Sequence, residues 1–237
     1  MSQLTILSGG AAHGLVAGLA PSFKAKTGFE IKGEFGAVGG MVEKLRSGVA
    51  TDLVVLTSAL VAKLAEERLV APSSIKNVGL VETALAVRSS DPKVSAQTAD
   101  ELRAAFLAAD AIFVPDTKAS TAGIHVAKVL AQLGIADEVA ARLKIYPNGA
   151  TAMRELAAAG AKRPIGCTQS TEIISTKGVE LSGVLPKGCE LATMYTAGIT
   201  TSAVHPRQAQ ALIDLLTSSD ACDARSRAGL SMTCGAA

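Results

Sequence analysis

Tryptophan is absent, and 237 residues hold only two tyrosines and five phenylalanines. Stacking on nucleobases or sugar rings therefore has few candidates. Charge of one sign is not concentrated either. The formal net charge is +2 with acids and bases interspersed, so no basic face is offered to nucleic acid. No apolar run approaches the roughly 20 residues that span a bilayer, and membrane insertion is not expected. HExxH, GxSxG, a P-loop lysine, CxxC and any zinc-spaced Cys/His cluster are also missing. No metal and no cofactor are expected. The opening "MSQLTILSGG" lacks the basic and apolar regions of a secretory signal and points to the cytoplasm. The alternative is the periplasm, after removal of a signal peptide. Four cysteines (167, 189, 222 and 234) allow three pairings, and Cys167, inside an apolar run, reads as a reduced core thiol. What is present is 49% hydrophobic and 19% charged, the balance of a globular chain that buries a real core.

Strand and helix patterns alternate along most of that chain, which argues for a largely parallel α/β sheet. "QLTIL" is β-branched and apolar, and "HGLVAGLAPSFKAKTG" steps by four through Leu15, Leu19 and Phe23 before stopping at Gly28. "FEIKGEF", "GGMVEKLRSG", "DLVVLTS" and "ALVAKLAEERLV" continue the alternation. After Pro72 the long extended "VGLVETALAVRSS" leads into a second set: "AIFVPD", "AGIHVAKVLAQLG", "LKIYP", "ATAMRELAAAG" and "PIGCTQS". "TMYTAGITTS" is a second long extended segment, followed by a helical tail from Pro206. Two such segments, one outgoing and one returning, predict two lobes joined by two crossing strands. Residues 1–85 and 193–237 would form one lobe and 86–192 the other, with a ligand cleft between them.

Several stretches, taken in order, carry a family resemblance. "LTILSGGAAHGLVAGLAPSFKAKTGFEI" has the strand, first loop and helix. "EFGAVGGMVEKLRSGVATDLVVLTS" has the second loop and the strand after it. "TAGIHVAKVLAQLGI" has an Ala-Gly helix start, and "RPIGCTQSTEIISTKGVEL" the strand and turn that close the site. Together they resemble the molybdate-binding family of type II periplasmic solute-binding proteins over essentially the whole chain. The resemblance implies an α/β, two-lobe type II periplasmic-binding-protein fold. Each lobe would be a mixed, mainly parallel sheet flanked by helices, and an ABC permease would be the partner if the protein is exported.

Carried over by position, the family's first-loop serine falls at Ala11 and its second-loop serine at Val38. The backbone-donating alanine is kept as Ala122, the valine contact falls near Gly149, and the tyrosine at Gln169. Two hydroxyls and a phenol are thus replaced. Each charged hydrogen bond lost is worth about 1.5–3 kcal/mol, which tight molybdate binding would not survive. The helix starts after Gly10 and at Thr121 still present N–H groups to an anion. Ser8, Gly9, Gly10, Ser58, Ser120, Asn148 and Thr168 complete the expected ligand set with Ala11, Val38, Thr121, Ala122, Gly149 and Gln169. A small di- or tricarboxylate suits this neutral, partly apolar lining. His13 and His125 open the two helices expected to face the ligand. A pair of imidazoles there could move a proton between carbons, as in a cofactor-free isomerase similar to the aconitate isomerases. The plainer reading makes both of them surface or capping residues. His205, before Pro206, and Lys118 read as loop residues.

Overall fold

The computed structural model describes residues 2–231, which divide into two compact units: residues 2–81 with 193–231, and Glu82–Ala192. In chain order unit 1 begins with β1 (Gln3–Gly9), a one-turn 3-10 helix (Gly10–Ala12), α1 (His13–Thr27), β2 (Glu30–Gly36), α2 (Val38–Arg46), β3 (Leu53–Thr57) and α3 (Ser58–Glu66). The chain enters unit 2 within β4 (Lys76–Arg88). There it forms α4 (Ala99–Ala108), β5 (Ala111–Pro115), α5 (Thr121–Gln132), α6 (Ala136–Val139), β6 (Leu143–Tyr146) and α7 (Gly149–Ala157). β7 (Pro164–Gln169), α8 (Ser170–Ile174) and β8 (Val179–Val184) complete that unit. The chain returns through β9 (Ala192–Ile199) to α9 (Pro206–Thr217) and α10 (Cys222–Arg227).

In unit 1 the strand order is β2-β1-β3-β9, with β9 antiparallel and the other three parallel. In unit 2, β7-β5-β6 are parallel, and β4 runs antiparallel to both β7 and β8. Central strands are buried on both faces because helices cover both: every residue of β3, β5 and β7 is buried, and only their carboxyl ends, Thr57, Thr168 and Gln169, are polar. β2 and β6 lie at sheet ends and keep half-exposed, polar patterns. One core cluster fills unit 1, packing Leu4, Ile6 and Leu56 against Phe23 and Leu212. Unit 2 has two, one per sheet face. Leu85, Cys167 and Val126 of α5 mark one, and Ala84, Ala86 and Met153 of α7 the other.

The helix α4 and the strand β8 have no counterpart among the sequence expectations. Helix α4 carries a visible signal: Thr98 Oγ1 accepts from Glu101 N–H at 3.2 Å, and Glu101 accepts in return from Gln97 N–H at 2.9 Å.

Cys167 and Cys189 are free and buried, and burial pushes the Cys167 thiol up to about 12, so it is inert at neutral pH. Cys222 is in a disulfide, whereas Cys234 lies outside the described residues. A thiol titration in denaturant is expected to find fewer than four thiols per chain before reduction, those of Cys167 and Cys189 among them, and all four after it. Four before reduction would remove the disulfide.

Candidate functional site

In α/β proteins the carboxyl ends of parallel strands are where ligands meet helix N-termini. At that end of unit 1, Gly9 of β1 is in register with Gly36 of β2, and three helices start there: the 3-10 turn leading into α1, α2 and α3. None has a side-chain cap and none carries an acid in its first turn, so no side chain of these first turns offsets their N-terminal dipole ends. The lining is small and apolar. Ala11 and Val38 are buried, Gly10 is half-buried and Ser58 is exposed. Ser8 is fully buried and its hydroxyl donates to the Gly9 carbonyl at 2.9 Å, so it faces its own loop. Tyr195 is not in the expected ligand set. It pairs with Thr57 in the β3–β9 ladder, and a side chain built on Gly9 would lie 3.2 Å from its phenol oxygen and 2.8 Å from Val38. A phenol thus stands under the first loop, supplied by β9. Nothing local in "TMYTAGITTS" announces it.

At the carboxyl end of unit 2 the helix starts differ from one another. α5 is open: Ser120 at its N-cap makes no capping bond and is 8% exposed, and no acid occupies the first turn. Ala122 is buried and Thr121 half-buried. Gly123 lets this helix sit directly on the end of β5, since a Cβ there would fall 2.1 Å from the Asp116 carbonyl oxygen. α7, by contrast, is closed from within. Asn148 Oδ1 accepts from Thr151 N–H at 2.8 Å, and the Glu172 carboxylate accepts from the Gly149 and Ala150 amides. Glu172 also accepts from Gln169 N–H and, at 2.6 Å, from Thr168 Oγ1. Burial pushes the Glu172 carboxyl above its ordinary range, and these donors only partly oppose that. Polar atoms of Asn148, Gly149 and Thr168, all expected at the ligand, are therefore engaged inside unit 2. Gln169 ends β7 as the buried N-cap of α8.

The histidines fall in different settings. His13 is exposed, with its ring edge-on to Phe35 at 4.7 Å between centroids. His125 is half-buried in the second turn of α5, and its Nε2 lies 2.8 Å from the Cys189 carbonyl oxygen. A carbonyl only accepts, so Nε2 carries the proton and Nδ1 is left for any acid–base role. His205 is the residue before α9, beside Phe29 at 5.0 Å. Asp116 holds the Lys118 and Ala119 amides at 2.7 and 2.9 Å, which keeps its carboxyl below the usual range, and Lys118 itself is exposed. Among the described residues no group of three or more His, Cys, Asp or Glu side chains could hold a metal ion, and no helix is long and apolar enough to cross a membrane. A cavity of about 220 Å³ lined by Val87, Val94, Ala105 and Ile165 lies at the amino end of β7, away from these helix starts.

A sequence profile of the bacterial extracellular solute-binding proteins matches residues 4–231. The chain belongs to that family. One relative is "Aconitate isomerase" from Pseudomonas sp, 25% identical over 238 residues that cover 97% of this chain and 88% of that protein. Among solved structures, the Azotobacter vinelandii periplasmic molybdate-binding protein superposes with a TM-score of 0.82 at 18% identity, covering 97% of this chain and 99% of that one. The sulfate-binding protein SubI from Mycobacterium tuberculosis H37Rv gives 0.74 at 17% identity, covering 97% and 86%. At such identities the likeness is one of fold, and the fold is the two-lobe α/β periplasmic binding protein. The resemblance drawn from the first loop, second loop and α5 start therefore holds. The family is described as extracellular, which agrees with the periplasmic alternative to the cytoplasmic reading of the N-terminus.

Proposed function

We propose that this solute-binding protein takes a small organic anion, a di- or tricarboxylate, rather than molybdate. The observation that carries this reading is the set of helix N-termini with no side-chain cap and no acid in the first turn at the carboxyl ends of parallel strands: the first-loop turn, α2 and α3 in unit 1, and α5 in unit 2. Backbone N–H groups and dipole ends of that kind favour anions without a lysine or arginine. Buried Ala11 and Val38, and a Ser8 hydroxyl committed to its own loop, give the unit 1 end apolar walls that match a carbon skeleton better than a metal oxyanion. The disulfide at Cys222 suits an oxidising compartment, where an ABC permease would be the partner.

A thermal-shift panel of molybdate, tungstate, sulfate, succinate, citrate and cis- and trans-aconitate tests it. A ligand at a hundredfold its Kd adds about 2.7 kcal/mol, roughly 5–10 °C in Tm for a chain of this size. A shift by carboxylates but not by the metal oxyanions is the expected result. A shift by molybdate alone would sink it.

A second reading, a cofactor-free isomerase of a small polycarboxylate, is favoured by the 25% identity to an aconitate isomerase across 97% of the chain. Proton NMR of each stabilising carboxylate incubated with the protein separates the two. Conversion that is lost in His13→Ala or His125→Ala supports catalysis; an unchanged spectrum leaves a receptor.

A further inference from the structure

Thr83 lies in β4 directly opposite Gln169, the last residue of β7. Its main chain is satisfied: its N–H donates to the Leu191 carbonyl at 2.9 Å, and its carbonyl accepts from Leu185 N–H at 3.2 Å. Its hydroxyl is not. Thr83 is 1% exposed, and Oγ1 has no hydrogen-bond partner among the described residues. Strand side chains alternate between faces, so Thr83 shares a face with Leu85, and Gln169 with Cys167. Leu85 and Cys167 belong to the core cluster that includes Val126 of α5, not to the one under α7. The hydroxyl thus stands on the α5 side of the sheet, at the end where β7 stops and the uncapped α5 begins. Valine has the same shape, suits a strand at least as well and would leave no buried hydroxyl unpaired. Folding alone gives no reason for threonine here.

We infer that Thr83 is a ligand-binding residue whose hydroxyl donates to an oxygen of the anion taken at the α5 N-terminus. This rests on the reading of the protein as a receptor for a small organic anion, and it adds a hydroxyl from β4 to the Ser120 and Thr121 side chains expected at the α5 start.

The test compares wild type with Thr83→Val and Thr83→Ser. Each is unfolded thermally without ligand and titrated calorimetrically with succinate, citrate and trans-aconitate. Thr83→Val is expected to keep or raise the ligand-free Tm while weakening binding about tenfold, the effect of one lost hydrogen bond to a charged group. Thr83→Ser, which keeps the hydroxyl, should bind within about threefold of wild type by the same reasoning. Equal binding by wild type and Thr83→Val overturns this inference alone. So does a ligand-free Tm that falls in Thr83→Val but not in Thr83→Ser, because the hydroxyl would then be bonded within the fold. A wild type that binds none of the three overturns both this inference and the carboxylate reading.

Discussion

Gly149→Ala should lower the Tm by roughly 10 °C, the equivalent of about 3–5 kcal/mol in a chain of this size. The cause is not backbone conformation but occupancy. A Cβ at Gly149 would lie 1.9 Å from Glu172 Oε2 and 2.2 Å from Thr168 Oγ1. Neither oxygen can yield cheaply. Glu172 is 5% exposed and accepts from three backbone amides as well as the Thr168 hydroxyl. Expelling it leaves the α7 N-terminus without its internal carboxylate and the Gly149, Ala150, Gln169 and Thr168 donors without their acceptor. Because both oxygens belong to one network, costs within it will not add. In a Glu172→Ala background, Gly149→Ala should cost about half as much or less. Urea unfolding of the two single variants and the double variant measures this. A Gly149→Ala protein within 2 °C of wild type would mean that α7 shifts away from β7 at little cost, a shift well below the roughly 10 °C expected.

This cluster also marks the limit of what the sequence made legible. The alternating elements could be read because each is a local pattern: the β-branched run of "DLVVL", the four-residue steps of α1, the glycines that stop helices. The helix start after Gly10 could be read for the same reason, since strand, glycine and helix follow one another, and the start of α5 from the periodic run "AGIHVAKVLAQLG". Glu172 could not. Its role depends on Gly149 and Ala150 in another helix and on strand β7 in between, and the sequence around it reads only as a polar turn. Tyr195 is invisible in the same way, because its neighbours Gly9 and Val38 stand far away in the chain. Thr83 sits in an ordinary strand pattern, and only its place opposite Gln169 and its unpartnered hydroxyl single it out. Asn148 illustrates the converse. Its type suits a ligand contact and a helix cap equally, and the geometry uses it as a cap.

Asp52→Ala is expected to cost roughly 4 kcal/mol, because three backbone amides and a hydroxyl lose an ionised acceptor at once. Asp52 Oδ2 accepts from Thr5 N–H at 2.9 Å and Thr5 Oγ1 at 2.8 Å, while Oδ1 accepts from the Val204 and His205 amides at 2.8 Å each. One side chain, 1% exposed, therefore ties β1 to the segment that launches α9. Burial alone would raise this carboxyl, but the Thr5, His205 and Val204 donors outweigh it and hold the group below its usual range. A depressed folded-state pKa gives stability that is present above the unfolded value, near 3.9, and is lost as pH falls through the folded one. Glu172 works in the opposite sense. Its raised carboxyl contributes fully below the unfolded value and loses that contribution as pH climbs toward the folded one. Unfolding free energy measured by urea from pH 3 to 8 should separate them. Asp52→Asn should flatten the acid side of the curve, and Glu172→Gln should flatten the decline above about pH 4.5. If Asp52→Asn keeps the wild-type acid slope, the Thr5, Val204 and His205 donors do not hold an ionised carboxylate, and the loss in Asp52→Ala would have to come from packing alone.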